Sequence, residues 1–146
     1  MGNEAFRIVA ATSSEKMAAA YSIRRRVFIE EQRVPEEIEL DADDARAFHA
    51  IALRGGDAVG CGRYVEHGAG EVKIGRMAVL RELRGTGVGR AILEFLICTA
   101  RERGYRRAIL HAQLTAEGFY LRQGFRPFGE VFEEAGIAHR AMSREL

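Results

Sequence analysis

Between Glu71 and Arg101 the chain reads EVKIGRMAVLRELRGTGVGRAILEFLICTAR, and this stretch limits the folds open to it more than any other. Val72 and Ile74 are apolar at alternate positions, as a half-buried strand requires; the phase then slips and resumes at Met77 and Val79. One extra residue near Gly75-Arg76 produces such a slip, which predicts a β-bulge that bends the strand and prises it from a neighbour. Arg84-Gly85-Thr86-Gly87-Val88-Gly89 follows, then an apolar run through Ile97 that is too long for anything but a packed helix. Glycines permit positive φ and a close approach to bare main-chain N–H groups. The helix N-terminus adds roughly half a positive charge. A phosphate or pyrophosphate is therefore expected at this turn.

Elimination narrows the ligand. A Walker loop needs Gly-Lys-Ser/Thr ahead of its helix, where this chain has Gly89-Arg90-Ala91. A dinucleotide fingerprint needs a third glycine at position 90, which is arginine. What remains is R-x-x-G-x-G, at Arg84, Gly87 and Gly89. This resembles the acyl-CoA pyrophosphate loop of the Gcn5-related N-acetyltransferase (GNAT) superfamily. A second segment, RRRVFIEEQRVPEEIELDADD, carries Arg24, Val27, Phe28, Glu31, Gln32, Glu39, Asp41 and Asp44 in R-x-x-V-F-x-x-E-Q and E-x-D-x-x-D elements. It is similar to the N-terminal segment of the ElaA-like subgroup of GNAT proteins. A third, with Ala116, Tyr120, Gly124 and Phe125, resembles the last GNAT helix.

Composition removes other classes. A formal net charge of +1 argues against a nucleic-acid module, which would carry a clear basic excess. No apolar run approaches membrane-spanning length and MGNEAFRIVA lacks a signal pattern, so no membrane partner and a cytoplasmic location are expected. Cys61 and Cys98 form no C-x-x-C and read as buried free thiols, Cys98 partly exposed beside the polar stripe of its helix, and the four histidines show no metal-ligand spacing. Length points to one domain over residues 1–146.

In order, Phe6–Ala10 reads as a strand, about 14–32 as a helix ended by Pro35, and 47–53 and 58–66 as strands joined at Gly55-Gly56-Asp57. After the bulged strand and its helix, 106–112 reads as a fifth strand parallel to the fourth. Two more strands joined at Ala135-Gly136 follow the last helix. The resemblance implies an α/β (α+β) GNAT fold. Its sheet is mixed, mostly antiparallel and six- to seven-stranded, with strands 4 and 5 a splayed parallel pair and about four helices on both faces.

The resemblance also implies acetyl-CoA as acyl donor and a primary amine of a small molecule or peptide as acceptor, in a monomer or homodimer. Pyrophosphate would take N–H bonds from Gly85, Thr86, Gly87, Val88, Gly89 and Arg90, with charge from Arg84 and Arg90. Pantetheine would pair with Met77, Ala78 and Val79, assisted by Gln113, Ala116 and Phe119. Tyr120 would protonate the departing thiolate. Many relatives carry a glutamate base on the fourth strand; here that region is Lys73-Ile74-Gly75-Arg76, so Glu31, His49 and His111 stand as alternatives. The acidic run from Glu30 to Arg46 reads by composition as a solvated loop and functionally as a lid whose carboxylates receive a cationic amine; His139 either lines the acceptor end or, the favoured reading, sits on an exposed strand. The alternative function is an acyl-CoA-binding module without turnover.

Overall fold

The computed structural model describes residues 5–146. Eight strands are present: β1 Phe6–Ala10, β2 Phe48–Arg54, β3 Asp57–Glu66, β4 Glu71–Val79, β5 Arg107–Gln113, β6 Arg126–Pro127, β7 Phe132–Glu134 and β8 Ile137–Glu145. They form one sheet in the order β1-β2-β3-β4-β5-β8-β6, with β7 paired to β8. All pairs are antiparallel except β4 with β5. The count exceeds the six or seven expected by one short strand, since β6 is only two residues long, while β7 and β8 are the pair expected around Ala135-Gly136.

Four α-helices accompany the sheet among the described residues: α1 Ser14–Arg24, α2 Glu36–Glu39, α3 Val88–Glu102 and α4 Glu117–Arg122. Ser13 caps α1, its hydroxyl accepting from the Lys16 N–H at 3.1 Å. The helical path then widens to a π-helical stretch over Arg25–Glu31, where the Gln32 N–H reaches back to the Val27 carbonyl at 3.0 Å. Such widened turns cluster at functional sites. Alternation along β3 sends successive side chains to opposite faces. Its Gly60 and Gly62 meet α3, while Arg63 bonds to Asp41 and Asp44 on the face where Arg24 of α1 joins them. Helices therefore cover both faces.

The phase slip is a bulge. Cys61 stands opposite Ala78 but Arg63 opposite Gly75, so Arg76 and Met77 share Gly62 as their only counterpart. Arg76 takes the extra residue's strain, with φ at 54° in the left-handed region. Glycine is required at 62, because a Cβ there would lie 2.7 Å from Met77 Sδ and 2.9 Å from Ile92 Cγ2. Beyond the bulge the parallel pair parts. β4 and β5 are joined only from Glu71–Arg107 to Ile74–Leu110, after which β4 follows β3 and β5 follows β8. The core fills both sides of this fork, with Val72, Ile74, Ile92, Leu93, Leu96, Leu110, Phe125 and Met142 all essentially inaccessible.

Candidate functional site

The helix α3 begins at Gly87, whose φ of 96° places it in the left-handed region that glycine adopts without cost. Among the described residues, no protein acceptor takes the N–H groups of Gly85, Thr86, Gly87, Val88, Gly89 or Arg90. The Thr86 hydroxyl donates to the Leu83 carbonyl, which tightens the turn and leaves its amides outward. Such a group of amides at a helix start is a receptor for anions. The two arginines beside it are occupied. Arg84 donates from Nε to the Val79 carbonyl at 3.0 Å and makes a two-pronged pair with Glu31 at 2.7 and 2.8 Å. Arg90 donates to Glu94 at 3.0 Å along its own helix.

Between the parted strands lies a cleft of about 550 Å³. Met77, Ala78 and Val79 form its β4 wall, and His111 and Gln113 its β5 wall. Gln113 donates to Gln32 at 3.0 Å, tying the end of β5 to the widened helical turn. Ala116 and Tyr120 close the α4 side. The Tyr120 hydroxyl has no protein partner among the described residues, and burial pushes it well above the ordinary tyrosine range, so it keeps its proton at neutral pH. Phe119 is not a cleft wall; its ring packs beside Gly89 and edge-on to Tyr120, with centroids 5.0 Å apart.

The acidic run behaves differently from the expectation. Arg24, only 1% exposed, donates to Glu39 and to Asp44 at 2.7 Å. Arg63 meets Asp41 at 2.8 Å and Asp44 at 2.6 Å, while Arg76 meets Glu39 at 2.9 Å and Asp41 at 3.0 Å. Three guanidinium groups thus answer three carboxylates. Hydrogen bonding from Arg63 holds Asp41 below the usual carboxylate range. For Asp44, burial pushes upward, but Arg24 and Arg63 more than offset it. Of the carboxylates expected to receive a cationic amine, Glu39, Asp41 and Asp44 are instead engaged by the protein's own arginines, which corrects that reading for these three.

A profile described as Acetyltransferase (GNAT) domain matches residues 7–146. The chain belongs to the GNAT acetyltransferase family. It is 36% identical over 139 residues to the uncharacterized N-acetyltransferase YjcF of Bacillus subtilis, covering 94% of this chain and 98% of that one. ElaA of Escherichia coli is 31% identical over 139 residues, covering 92% and 90%, and the ElaA crystal structure superposes with a TM-score of 0.83 over 97% of this chain and 99% of that one. An acyl-CoA N-acyltransferase from Pseudomonas aeruginosa matches with a TM-score of 0.82 at 26% identity, over 96% and 99% of the two chains.

Within this GNAT chain the remaining candidates fall as follows. His49 is not in the cleft: its Nε2 lies 2.9 Å from the Asp44 carbonyl oxygen, and burial lowers its pKa, so it braces the lid instead of serving as a base. Glu31 is drawn below the usual carboxylate range, chiefly by the Arg84 hydrogen bond, which makes it a poor proton acceptor while so paired. His139 is buried and lines the cleft, contrary to the exposed strand position expected, with Nδ1 2.7 Å from the Ile137 carbonyl oxygen. Cys61 is buried, its thiol pushed up to about 12, and Cys98 is exposed away from the cleft. Sequence reasoning missed Glu134, which pairs with His111 at 2.9 Å across the cleft wall. It also missed the Arg63 and Arg76 side chains. Their signal was faint, since each reaches partners 19 to 38 positions away. Among the described residues, no group of three or more His, Cys, Asp or Glu side chains is arranged to hold a metal ion, and no helix is long and apolar enough to cross a membrane.

Proposed function

We propose that this GNAT protein transfers an acetyl group from acetyl-CoA directly to a primary amine of a small molecule or peptide. The observation that carries the reading is the fork between β4 and β5, which opens beside a turn of unanswered amides. A pyrophosphate accepts from the amides of residues 85–90, and Arg84 turns from Glu31 to the phosphates when they arrive. The pantetheine arm, a pseudo-peptide, pairs as an added strand with the free edge of β4 at Met77–Val79. The thioester then sits in the cleft, its carbonyl oxygen facing a main-chain N–H of that edge. Preorganised donors of this kind are worth ~10²–10³ in rate.

Tyr120 supplies the proton that the departing thiolate takes up. Its hydroxyl has no competing protein partner and keeps its proton at neutral pH. Attack is direct, because an acyl-enzyme needs a nucleophile in the cleft and neither thiol is there in reactive form. Thiol release from acetyl-CoA in the presence of primary amines tests the reading. Tyr120→Phe should slow release ~10²–10⁴-fold with little change in acetyl-CoA affinity. Acetyl-CoA binding that no amine converts into thiol release would replace it with a binding module.

A further inference from the structure

His111 is the first residue of β5 past the last position paired to β4, so it stands where the fork opens. The β7–β8 hairpin turns at Ala135 and Gly136, with φ of 54° and 77°, and brings Glu134 back over β5. The Glu134 carboxylate lies 2.9 Å from His111 Nδ1. The Phe132 ring meets the imidazole edge-on at 4.9 Å and fixes its plane. A carboxylate can only accept here, so Nδ1 donates, and the lone pair of the neutral ring falls on Nε2. Among the described residues Nε2 has no hydrogen-bond partner. Both residues line the cleft that holds Tyr120.

We infer that His111 is the general base that takes the acceptor amine's protons at Nε2, with Glu134 its positioning residue. The inference rests on the transferase reading above and adds to it the proton path. An arriving ammonium loses one N–H proton to Nε2, which passes it to solvent. The neutral nitrogen attacks the thioester carbon; the C–N bond forms and the carbonyl π pair moves to oxygen. Nε2 takes the second amine proton as the intermediate collapses, breaking the C–S bond. The thiolate takes the Tyr120 proton, and the phenolate recovers one from the His111 imidazolium through water. One proton reaches solvent per turnover, as amide formation from an ammonium requires.

A histidine–carboxylate pair supports this use because the carboxylate fixes the tautomer and stabilises the imidazolium. Burial pushes Glu134 upward, yet the hydrogen bond and charge of His111, with help from His139 and Lys73, leave it below the usual range. Lys73 on β4 and His139 on β8 act on the pair, and Tyr120, Glu39, Asp43, Arg63 and Arg84 also line the cleft. Arg76 and Asp41, farther along the cleft, neutralise each other. An ordinary structural tie between β5 and β7 would need neither a bare Nε2 nor a place in the cleft.

Two measurements on the full chain decide the matter. Long-range ¹H–¹⁵N correlation spectra of histidine-labelled protein, with His111 assigned by His111→Gln, should show the neutral ring protonated on Nδ1. A ring protonated on Nε2 overturns the proposal, whatever amine the enzyme uses. Second, thiol release from acetyl-CoA is followed against pH with spermidine, glucosamine and an unblocked peptide as acceptors. His111→Gln should lower kcat/KM for the amine ~10²–10⁴-fold at pH 7, and the loss should shrink at alkaline pH where the amine arrives neutral. Glu134→Gln, at a position half open to solvent, should leave the fold intact, lower kcat/KM by less than His111→Gln does, and reduce the Nδ1-protonated share of the ring in the same spectra. If Tyr120→Phe is crippled while His111→Gln keeps the wild-type rate and profile, the base is elsewhere and the transferase reading stands. If no acceptor speeds thiol release from wild-type protein, the transferase reading fails, and His111 loses its role as a base with it.

Discussion

Around the lid and the bulge, Arg24, Arg63 and Arg76 meet Glu39, Asp41 and Asp44 in pairs between 2.5 and 3.0 Å. At the turn from Gly85 to Arg90, six successive amides meet no protein acceptor among the described residues. The first region is rich in formal charge that its own ion pairs answer; the second offers the partial charges of its main chain unanswered. Formal charge is thus a poor guide to where a ligand goes. What matters is whether the protein has already answered it, since an unanswered polar group beside a cleft is where binding is strongest.

The contrast is broken most severely by Arg24→Met. It leaves two buried carboxylates without their main partner, which should cost about 3–5 kcal/mol in chemical denaturation. A loss below about 1 kcal/mol would show the network to be a solvated ornament. Acid should probe the same region more gently. Asp41 and Asp44 are depressed below their ordinary value of 3.8, so the stability they contribute is present above that value and is lost as pH falls through their folded values. Glu39, raised by burial, is protonated earlier and removes none of it. Melting temperature should therefore fall steeply only below about pH 4, and a fall beginning near neutrality would point elsewhere. The smallest effect belongs to the turn. Glu31→Gln releases Arg84 from a partly exposed pair of the kind worth about 0.2–1 kcal/mol, so CoA should bind up to about fivefold tighter by calorimetry. Weaker binding would mean that Glu31 and Arg84 act together in the complex.

These outcomes bear on what could be read from residue order alone. The fork was legible because Val72, Ile74, Met77 and Val79 keep a two-residue period interrupted once, and the structure puts the interruption at Arg76. The glycine-rich turn before α3 was legible because R-x-x-G-x-G is local. The lid was not, although its acidic residues stood out. Whether Asp41 and Asp44 are open to a ligand depends on Arg63 of β3, which the chain brings back only after β2 and a hairpin turn. His111 was legible as a candidate and Glu134 was not, because their meeting depends on the register Glu134–Ile137 and Ala141–His111 across β8. His49 misled for the same reason, since the Asp44 carbonyl that engages it lies in a segment without periodicity.

The four-residue length of the parallel pair has a consequence for selectivity. It creates a sheet margin inside the molecule, flanked on both sides by its own strands, where no second protein can dock edge to edge. A guest must enter end-on and be about one chain thick, with alternating carbonyl and amide groups along its length. On the acyl-CoA reading proposed above, the slot would screen acyl carriers by the girth and polarity of their tails before any chemistry starts. A nucleotide diphosphate lacking such a tail could touch the turn but would leave the margin unzipped.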